Sequence, residues 1–290
     1  MPDVFHSILK VDESESGRLQ CKYNTRMDMY GCGCFHNCQY CYARSLLDFR
    51  GNWNPDNPSV ADKREVAKVL KSIPKGRIIR IGGMTDPFQP CEDQYHMTRW
   101  QIEQMNKLGI GYLIVTKGAV LLEKNMDVLD KDLAHIQISY TYSEGRGPKD
   151  FEHASPPKER IRVAERLQEE GFDVALRLSP YIPQLVDLKQ VTDCKVDKVI
   201  VEFLRASTMI KRKMPWYDFS AWNKKEHGYN CLSLSAKMML LEPIIATGKQ
   251  VSVCEDYRPH WKYFKDNVNH NPEDCCNLRI PSNPNIIEIK

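Results

Sequence analysis

The sequence predicts an α/β fold on a parallel sheet, and three observations carry that expectation. Short apolar, β-branched runs alternate with helical stretches through the middle of the chain, the connections between them are short, and the helices end at Gly or Pro. In order, Val66, Val69, Leu70 and Ile73 fall at i, i+3, i+4 and i+7 on a helix that Ser59 with Asp62 opens and Pro74 with Gly76 ends. Arg77 to Ile81 is a strand stopped by Gly82 and Gly83, and a helix over Gln94 to Leu108 closes at Gly109. Tyr112 to Val115 is the next strand, followed by a helix near Val120 to Leu129 and a strand over His135 to Tyr142. A helix over Pro157 to Glu170 ends at Gly171. Then come a strand over Val174 to Leu178, a helix near Leu185 to Val191 and a strand over Lys198 to Leu204. With a strand leading into the first cysteines, about six strand–helix units are expected, short of the eight of a closed barrel.

The last third is less regular. Leu234 to Ile245 reads as a helix that Pro243 must end or kink, Gln250 to Cys254 as one more strand, and the tail from His260 as turn-rich, with Asn269, Asn271, Pro272, Pro281 and Pro284.

Composition narrows the class. The chain has 290 residues, 42% of them apolar, enough for a full core. Lys plus Arg is 41 against 38 Asp plus Glu, which argues against a tail-driven polycation and leaves room for a local basic patch. No apolar run approaches a bilayer's thickness, and Met1 to Gln20, with Asp12, Glu13 and Glu15, resembles neither a signal nor a transit peptide, so no membrane association and a cytoplasmic location are expected. The 11 cysteines are too sparse and odd in number for a disulfide framework, so their spacing must decide their use.

Cys34, Cys38 and Cys41 stand in the run CFHNCQYCYAR, a C-x3-C-x2-C spacing. Three thiolates this close can converge on one soft metal centre. On a cubane iron–sulfur cluster they leave one of four irons open, able to bind a small molecule and pass it an electron. Gly31 and Gly33 suit a loop that wraps closely around such a cluster. The competing reading is a zinc site completed by Cys32 or His36.

This cysteine spacing, with Tyr40 before the last cysteine, resembles the signature of the radical S-adenosylmethionine (SAM) enzymes, whose usual fold is a partial (β/α)6 barrel of the TIM type. The likeness extends to the spore photoproduct lyase-like, or DNA repair photolyase, group. It is carried by CQYCYAR from Cys38 to Arg44, TDPFQP from Thr85 to Pro90, VTK from Val115 to Lys117 and IS at Ile138 and Ser139. SPPKERI from Ser155 to Ile161 and LRLSPYIP from Leu176 to Pro183 extend it. The resemblance implies a [4Fe-4S] cluster on Cys34, Cys38 and Cys41, SAM on its open iron, reductive cleavage to a 5′-deoxyadenosyl radical, and hydrogen abstraction from a substrate. A reducing donor of flavodoxin or ferredoxin type would supply the electron.

By position, the resemblance makes Gly82, Gly83, Met84, Lys117, Ser139 and Arg177 cofactor contacts, with Tyr40 against the adenine or in the pocket wall. Tyr42 and Cys91 are the candidate catalytic residues. The lyase has a cysteine hydrogen donor just before its T-S-D segment. Here Gly83 stands at that place, and Cys91 a few residues on is the candidate replacement.

Two domains are expected: residues 1–205 as the partial barrel with an N-terminal segment, and 206–290 as a C-terminal extension. In the extension Cys254, Cys275 and Cys276, with Cys231 nearby, could hold a second iron–sulfur cluster or a zinc ion, or could be packing cysteines. Lys211, Arg212 and Lys213 precede Trp216, Tyr217, Phe219 and Trp222, a pattern that suits a DNA or RNA substrate and equally an aromatic mini-core behind a charged turn. The preferred substrate is a nucleic-acid base in repair or modification. The alternatives are a peptide or small metabolite, with an auxiliary cluster, and a zinc-binding nucleic-acid module without redox chemistry.

Overall fold

The computed structural model describes residues 22–279 apart from 24, 49, 50, 52, 75, 227 and 256. The stretch to Gln20, and Pro281 and Pro284, lie outside the described residues. Seven strands form one sheet: β1 (Arg26–Met27), β2 (Ile78–Ile81), β3 (Gly111–Thr116), β4 (Ala134–Ser139), β5 (Asp173–Tyr181), β6 (Lys198–Phe203) and β7 (Gln250–Val253). Their order across the sheet is their order in the chain, and every neighbouring pair is parallel. A stepwise parallel order with helical crossovers is the topology of a partial barrel of the TIM type. It takes strands from both sides of residue 205, because β7 pairs with β6 from Gln250↔Lys198 to Val253↔Val201.

The strands read as near-continuous apolar runs because both faces are covered. All six residues of β4 are buried. Helices cover the sheet with their apolar stripes: Val66 and Leu70 from Lys63–Ser72, Ile102 and Met105 from Met97–Leu108, Val163, Ala164 and Leu167 from Pro157–Glu169, and Leu241 and Ile244 from Leu234–Ile245. Each of these Val, Leu, Ile and Met side chains contributes about 1.5–3 kcal/mol on burial.

Several expected boundaries move, each for a local reason. The first crossover helix starts at Lys63 because the Asp62 carboxylate accepts from the backbone N–H groups of Arg64 and Glu65 at 2.9 and 3.1 Å. Ser59 instead pairs with Gly31 in a two-residue antiparallel ladder. The expected helix over Gln94 to Leu108 is two, Glu92–Tyr95 and Met97–Leu108, separated by His96 at φ 49°. The break is stabilised by Glu92, whose carboxylate caps the second helix at Thr98 N and Arg99 N, each at 2.9 Å. The next helix stops at Lys124, and that before β6 spans Leu188–Asp193 after a 3-10 turn at Pro183–Leu185. Pro243 sits inside Leu234–Ile245, two residues before its C-terminal residue, and does not end it there. The tail holds a helix, Arg258–Asn267, where turns were expected, and Pro259 sits in its first turn, where a missing N–H costs nothing.

Candidate functional site

All C-terminal strand ends lie on one edge of the sheet, the edge where side chains from successive strands and loops converge. A cavity of about 350 Å³ opens there. Its wall brings together Cys34, Cys38, Cys41 and Cys254. It also gathers Tyr40, Tyr42, Gly82, Gly83, Met84, Lys117, Ser139 and Arg177. Thus the three-cysteine loop and every expected cofactor contact meet in one place.

The cysteine loop follows β1 and is a run of tight turns. Asn37 N–H bonds the Cys34 carbonyl at 3.0 Å, Cys41 N–H bonds the Cys38 carbonyl at 3.2 Å, and Cys32 and Asn37 take positive φ of 54° and 42°. Gly33 is required by the loop's outer side: a Cβ there would stand 1.9 Å from the Asn54 carbonyl oxygen. Its smallness serves close backbone packing. The Arg44 backbone N–H donates to Cys41 Sγ at 3.3 Å, and Arg44 Nη1 reaches Asn37 Oδ1 at 2.7 Å. Burial pushes all three thiols up, and the Lys117 ammonium lowers the cost of ionising Cys38 and Cys41.

Two buried polar brackets fix the loop. The first comes from the TDPFQP segment. Asp86 Oδ1 accepts from the Thr116 hydroxyl at 2.5 Å and from Phe88 N–H at 2.9 Å. Asp86 Oδ2 accepts from Lys117 N–H at 2.6 Å and faces His36 Nδ1 at 3.4 Å. Gln89 Oε1 receives Phe35 N–H at 2.9 Å. Burial alone would raise the Asp86 pKa, but His36 and these donors hold it at about 2. The second bracket is the buried ion pair of Arg160 with Glu152, to which the Tyr40 hydroxyl donates and Thr141 Oγ1 donates at 3.0 Å. Arg160 also reaches the carbonyls of Ser155 and Ser139, at 2.7 and 3.1 Å. Sequence reading missed Asp86, Gln89, Glu152 and Arg160 as site residues. Two of the matched segments contain three of them, but only the packing shows what those side chains hold.

The expected cofactor contacts sit as follows. Gly82, at φ 87°, and Gly83 form the loop after β2, where a Cβ would meet the Val115 carbonyl oxygen at 2.6 Å and Arg26 Cδ at 2.4 Å respectively. The Tyr42 hydroxyl donates to the Gly83 carbonyl, and Met84 N–H donates to Asp28 Oδ2 at 2.8 Å, so the loop is tied to the helix Tyr42–Asp48 that follows the cysteines and to the residue just after β1. Arg177, 2% exposed, is paired with Glu202 at 2.6 Å and with Gln137 Oε1 at 2.8 Å, and Glu202 also accepts from Ser179 Oγ at 2.7 Å. Its carboxylate partner in the protein is therefore Glu202, another residue the sequence did not single out.

Cys91 departs from expectation, whereas the aromatic stretch takes one of its two expected readings and Cys254 faces the expected side. Cys91 does not line the cavity: it is 6% exposed, packed in the core, and burial with the Glu92 carboxylate pushes its thiol up to about 12, the state of an inert thiol. Of the basic–aromatic stretch, Tyr217, Phe219 and Trp222 stack edge-on into a mini-core, with Trp222 Nε1 bonded to the Leu204 carbonyl at 3.0 Å. Trp216 stays exposed and bonds Gln39 of the cysteine loop at 2.9 Å. Cys254, just past the end of β7, lines the cavity, whereas Cys275 and Cys276 do not. The Cys275 thiol bonded to Cys254, with Arg177 beside it, lowers the Cys254 pKa.

Among the described residues no group of three or more His, Cys, Asp or Glu side chains surrounds a single-ion position. A tetrahedral zinc centre needs its ligands on one point, and His36 is turned to Asp86. A cubane takes each thiolate on a different iron. Three thiols on one loop, facing a cavity floored by Gly82 and Gly83 and flanked by Lys117, fit that donor set.

The comparisons agree with this geometry. The radical SAM superfamily model matches residues 29–188, more than half of the chain. An uncharacterized protein of Mycobacterium tuberculosis H37Rv is 30% identical over 168 residues, 53% of this chain and 49% of the relative. An uncharacterized protein of Methanocaldococcus jannaschii is 30% identical over 163 residues, 55% of this chain and 61% of the relative. The chain thus spans about half to three-fifths of the length of the curated relatives it matches. Among solved structures, a cysteine-to-serine mutant of spore photoproduct lyase superposes with a TM-score of 0.63 at 16% identity, covering 86% of this chain and 79% of that one. Spore photoproduct lyase complexed with dinucleoside spore photoproduct gives 0.59 at 15%, covering 78% and 74%. At these identities the superpositions speak to the fold. Among the described residues no helix is long and apolar enough to cross a membrane. The match across residues 29–188 and the cysteine loop inside it make this chain a member of the radical SAM superfamily.

Proposed function

We propose that the protein is a radical SAM enzyme acting on a nucleic-acid base, in repair or modification. Cys34, Cys38 and Cys41 would hold a [4Fe-4S] cluster with SAM on its open iron, and that pair would supply radical hydrogen-abstraction chemistry. The chain's own residues do the rest. The Gly82–Gly83 turn packs its backbone against the Val115 carbonyl and Arg26, Lys117 offers a cation to a carboxylate, Arg177 is held by Glu202 at the wall, and the two brackets keep the cysteine loop from shifting. Tyr42 and Tyr40 act here as ties that set the loop, more than as groups that touch substrate. A flavodoxin- or ferredoxin-type protein would deliver the electron.

The observation that carries the substrate class is the charge of the cavity wall. Arg26, Arg44, Arg80, Lys117, Arg177 and Arg205 line it against only Asp86 and Glu202, six cations to two carboxylates. Such a wall favours a polyanion, and the exposed Trp216 beside the cysteine loop adds a stacking face. The SAM-dependent reading is tested by 5′-deoxyadenosine release from the reduced, reconstituted protein. The base is tested by transfer of deuterium from thymidine-labelled DNA, or from labelled RNA, into that 5′-deoxyadenosine. Release without transfer from any nucleic acid would overturn the base and move the substrate to a peptide or small metabolite, the reading that the three C-terminal thiols favour.

A further inference from the structure

We propose that a single nucleic-acid strand lies with its phosphates on Lys211, Arg212, Lys213, Lys224 and Lys225 and hands an unstacked base to the cavity past Trp216 and Tyr229. This rests on the nucleic-acid reading above and adds the surface outside the cavity. The whole chain is nearly balanced, with 41 Lys plus Arg to 38 Asp plus Glu, yet from Arg205 to Lys225 six cations stand against Asp218 alone. Elsewhere exposed cations are drawn into pairs, as Arg162 and Arg166 are by Glu123 and Lys189 is by Asp193. Among the described residues, none of the five cations named meets a carboxylate at ion-pair distance, and Lys211 lies over the Phe219 ring instead, at 5.8 Å. Like charges gathered without counter-charges repel one another, and a polyanion relieves that repulsion.

The fold brings both basic elements to the cavity wall. Ser207 Oγ caps the helix Thr208–Lys213 by accepting from Ile210 N–H at 3.2 Å, and the last three residues of that helix are all basic. The helix packs on Tyr42–Asp48, and its Ile210 lines the cavity. The second element, Lys224–Glu226, pairs antiparallel with Tyr229–Cys231 and sets Lys225 opposite Asn230. Asn230 bridges in turn to Ala206 and donates from Nδ2 to the Trp222 carbonyl at 3.0 Å, so the aromatic mini-core ties the two elements together. Tyr229 lines the cavity, with the Arg205 guanidinium over its ring at 5.6 Å. Trp216 is 43% exposed yet held edge-on to Phe151 at 5.9 Å and by its bond to Gln39 Oε1. A fixed indole open to solvent beside the cysteine loop is a stacking face for a base. A base enters a cavity of about 350 Å³ only after leaving its stack, which a single strand allows at less cost than a duplex.

The test is binding of a fluorescein-labelled DNA of about 12 nucleotides to the reconstituted full chain, as a single strand and as its blunt duplex, from about 50 to about 200 mM salt. The RNA of the same sequence shows which of the two strand types is preferred. Wild type should favour the single strand by about tenfold or more. Its log–log salt slope should be about −3.5 or steeper, from about 0.7 per phosphate over five cations. Lys211→Gln/Arg212→Gln/Lys213→Gln should flatten that slope by about 2 and leave SAM cleavage without nucleic acid within about twofold of wild type. Trp216→Ala should weaken single-strand binding about tenfold with the slope unchanged. The proposal is overturned if wild type binds the duplex as tightly as the single strand, a result that needs no variant. It is also overturned if the triple variant folds by circular dichroism and keeps the wild-type slope. Either result leaves the base reading standing. Wild type that binds neither DNA nor RNA at about 50 mM salt would sink the base reading as well, so the two failures are distinguishable.

Discussion

The molecule has two groups of three thiols, and it holds them differently. Cys34, Cys38 and Cys41 lie on one loop, clamped from beneath by buried ionic brackets on Asp86 and on Glu152 with Arg160. Cys254, Cys275 and Cys276 are gathered from a strand end and a tail turn, pinned by Asp274 and Asn269. The Asp86 carboxyl is held at about 2, whereas burial and Cys276 raise that of Asp274. The first group therefore depends on full charges in its supports, and the second on backbone N–H groups accepted by a carboxyl that is less costly to neutralise.

The largest effect should come from breaking the ionic bracket. Arg160→Met leaves the Glu152 carboxylate buried without its cation, an expected loss of about 3–5 kcal/mol in urea unfolding at neutral pH. Adding Glu152→Gln to it should restore at least half of that loss. If the single change costs less than about 1 kcal/mol, the bracket is not what fixes the loop.

Asp86→Asn comes next, at about 2 kcal/mol. The folded pKa of about 2 lies below the ordinary 3.8, so the carboxylate's contribution is present above pH ~4 and is lost as pH falls towards ~2. The variant should lose that acid-labile component, giving a flatter stability curve between pH ~4 and ~2. A curve parallel to wild type would show that Asp86 is not the titrating support.

Gly33→Ala drives a Cβ into the Asn54 carbonyl and should cost about 1–3 kcal/mol, read as a lower Tm together with poorer iron retention. Asp274→Asn should cost under about 1 kcal/mol at neutral pH, because burial and Cys276 already disfavour the charged form of its carboxyl; a loss as large as that of Asp86→Asn would erase the contrast between the groups. Cys91→Ala, outside the cavity, should leave iron content and SAM cleavage within about twofold of wild type. A collapse of cleavage with iron intact would return Cys91 to the reacting centre.

Much of the frame was legible in the chain. The strand–helix alternation pointed to six of the seven sheet strands, since apolar runs of parallel strands are continuous and their helices carry 3.6-residue stripes, and Gln250–Val253, read as a strand of a separate extension, proved to be the seventh. The cysteine loop was legible because its three cysteines are neighbours in sequence. What was not legible rests on contacts that sequence does not order: the cap Glu92 lends to Met97–Leu108, and the pairing of Arg177 with Glu202. The fate of Tyr217, Phe219 and Trp222 was undecidable for the same reason, because a charged aromatic stretch suits a core and a ligand equally well.

The sequence by itself determined the fold class and the three-cysteine loop, because periodicity and short spacing are local and each is fixed by backbone geometry. Only the tertiary structure decided that Cys91 is buried away from the cavity, that Asp86 and Arg160 support the loop, and that the tail thiols reach Cys254. Those outcomes depend on which strand ends share an edge and on which buried charges find partners, and both are set by packing across the whole sheet.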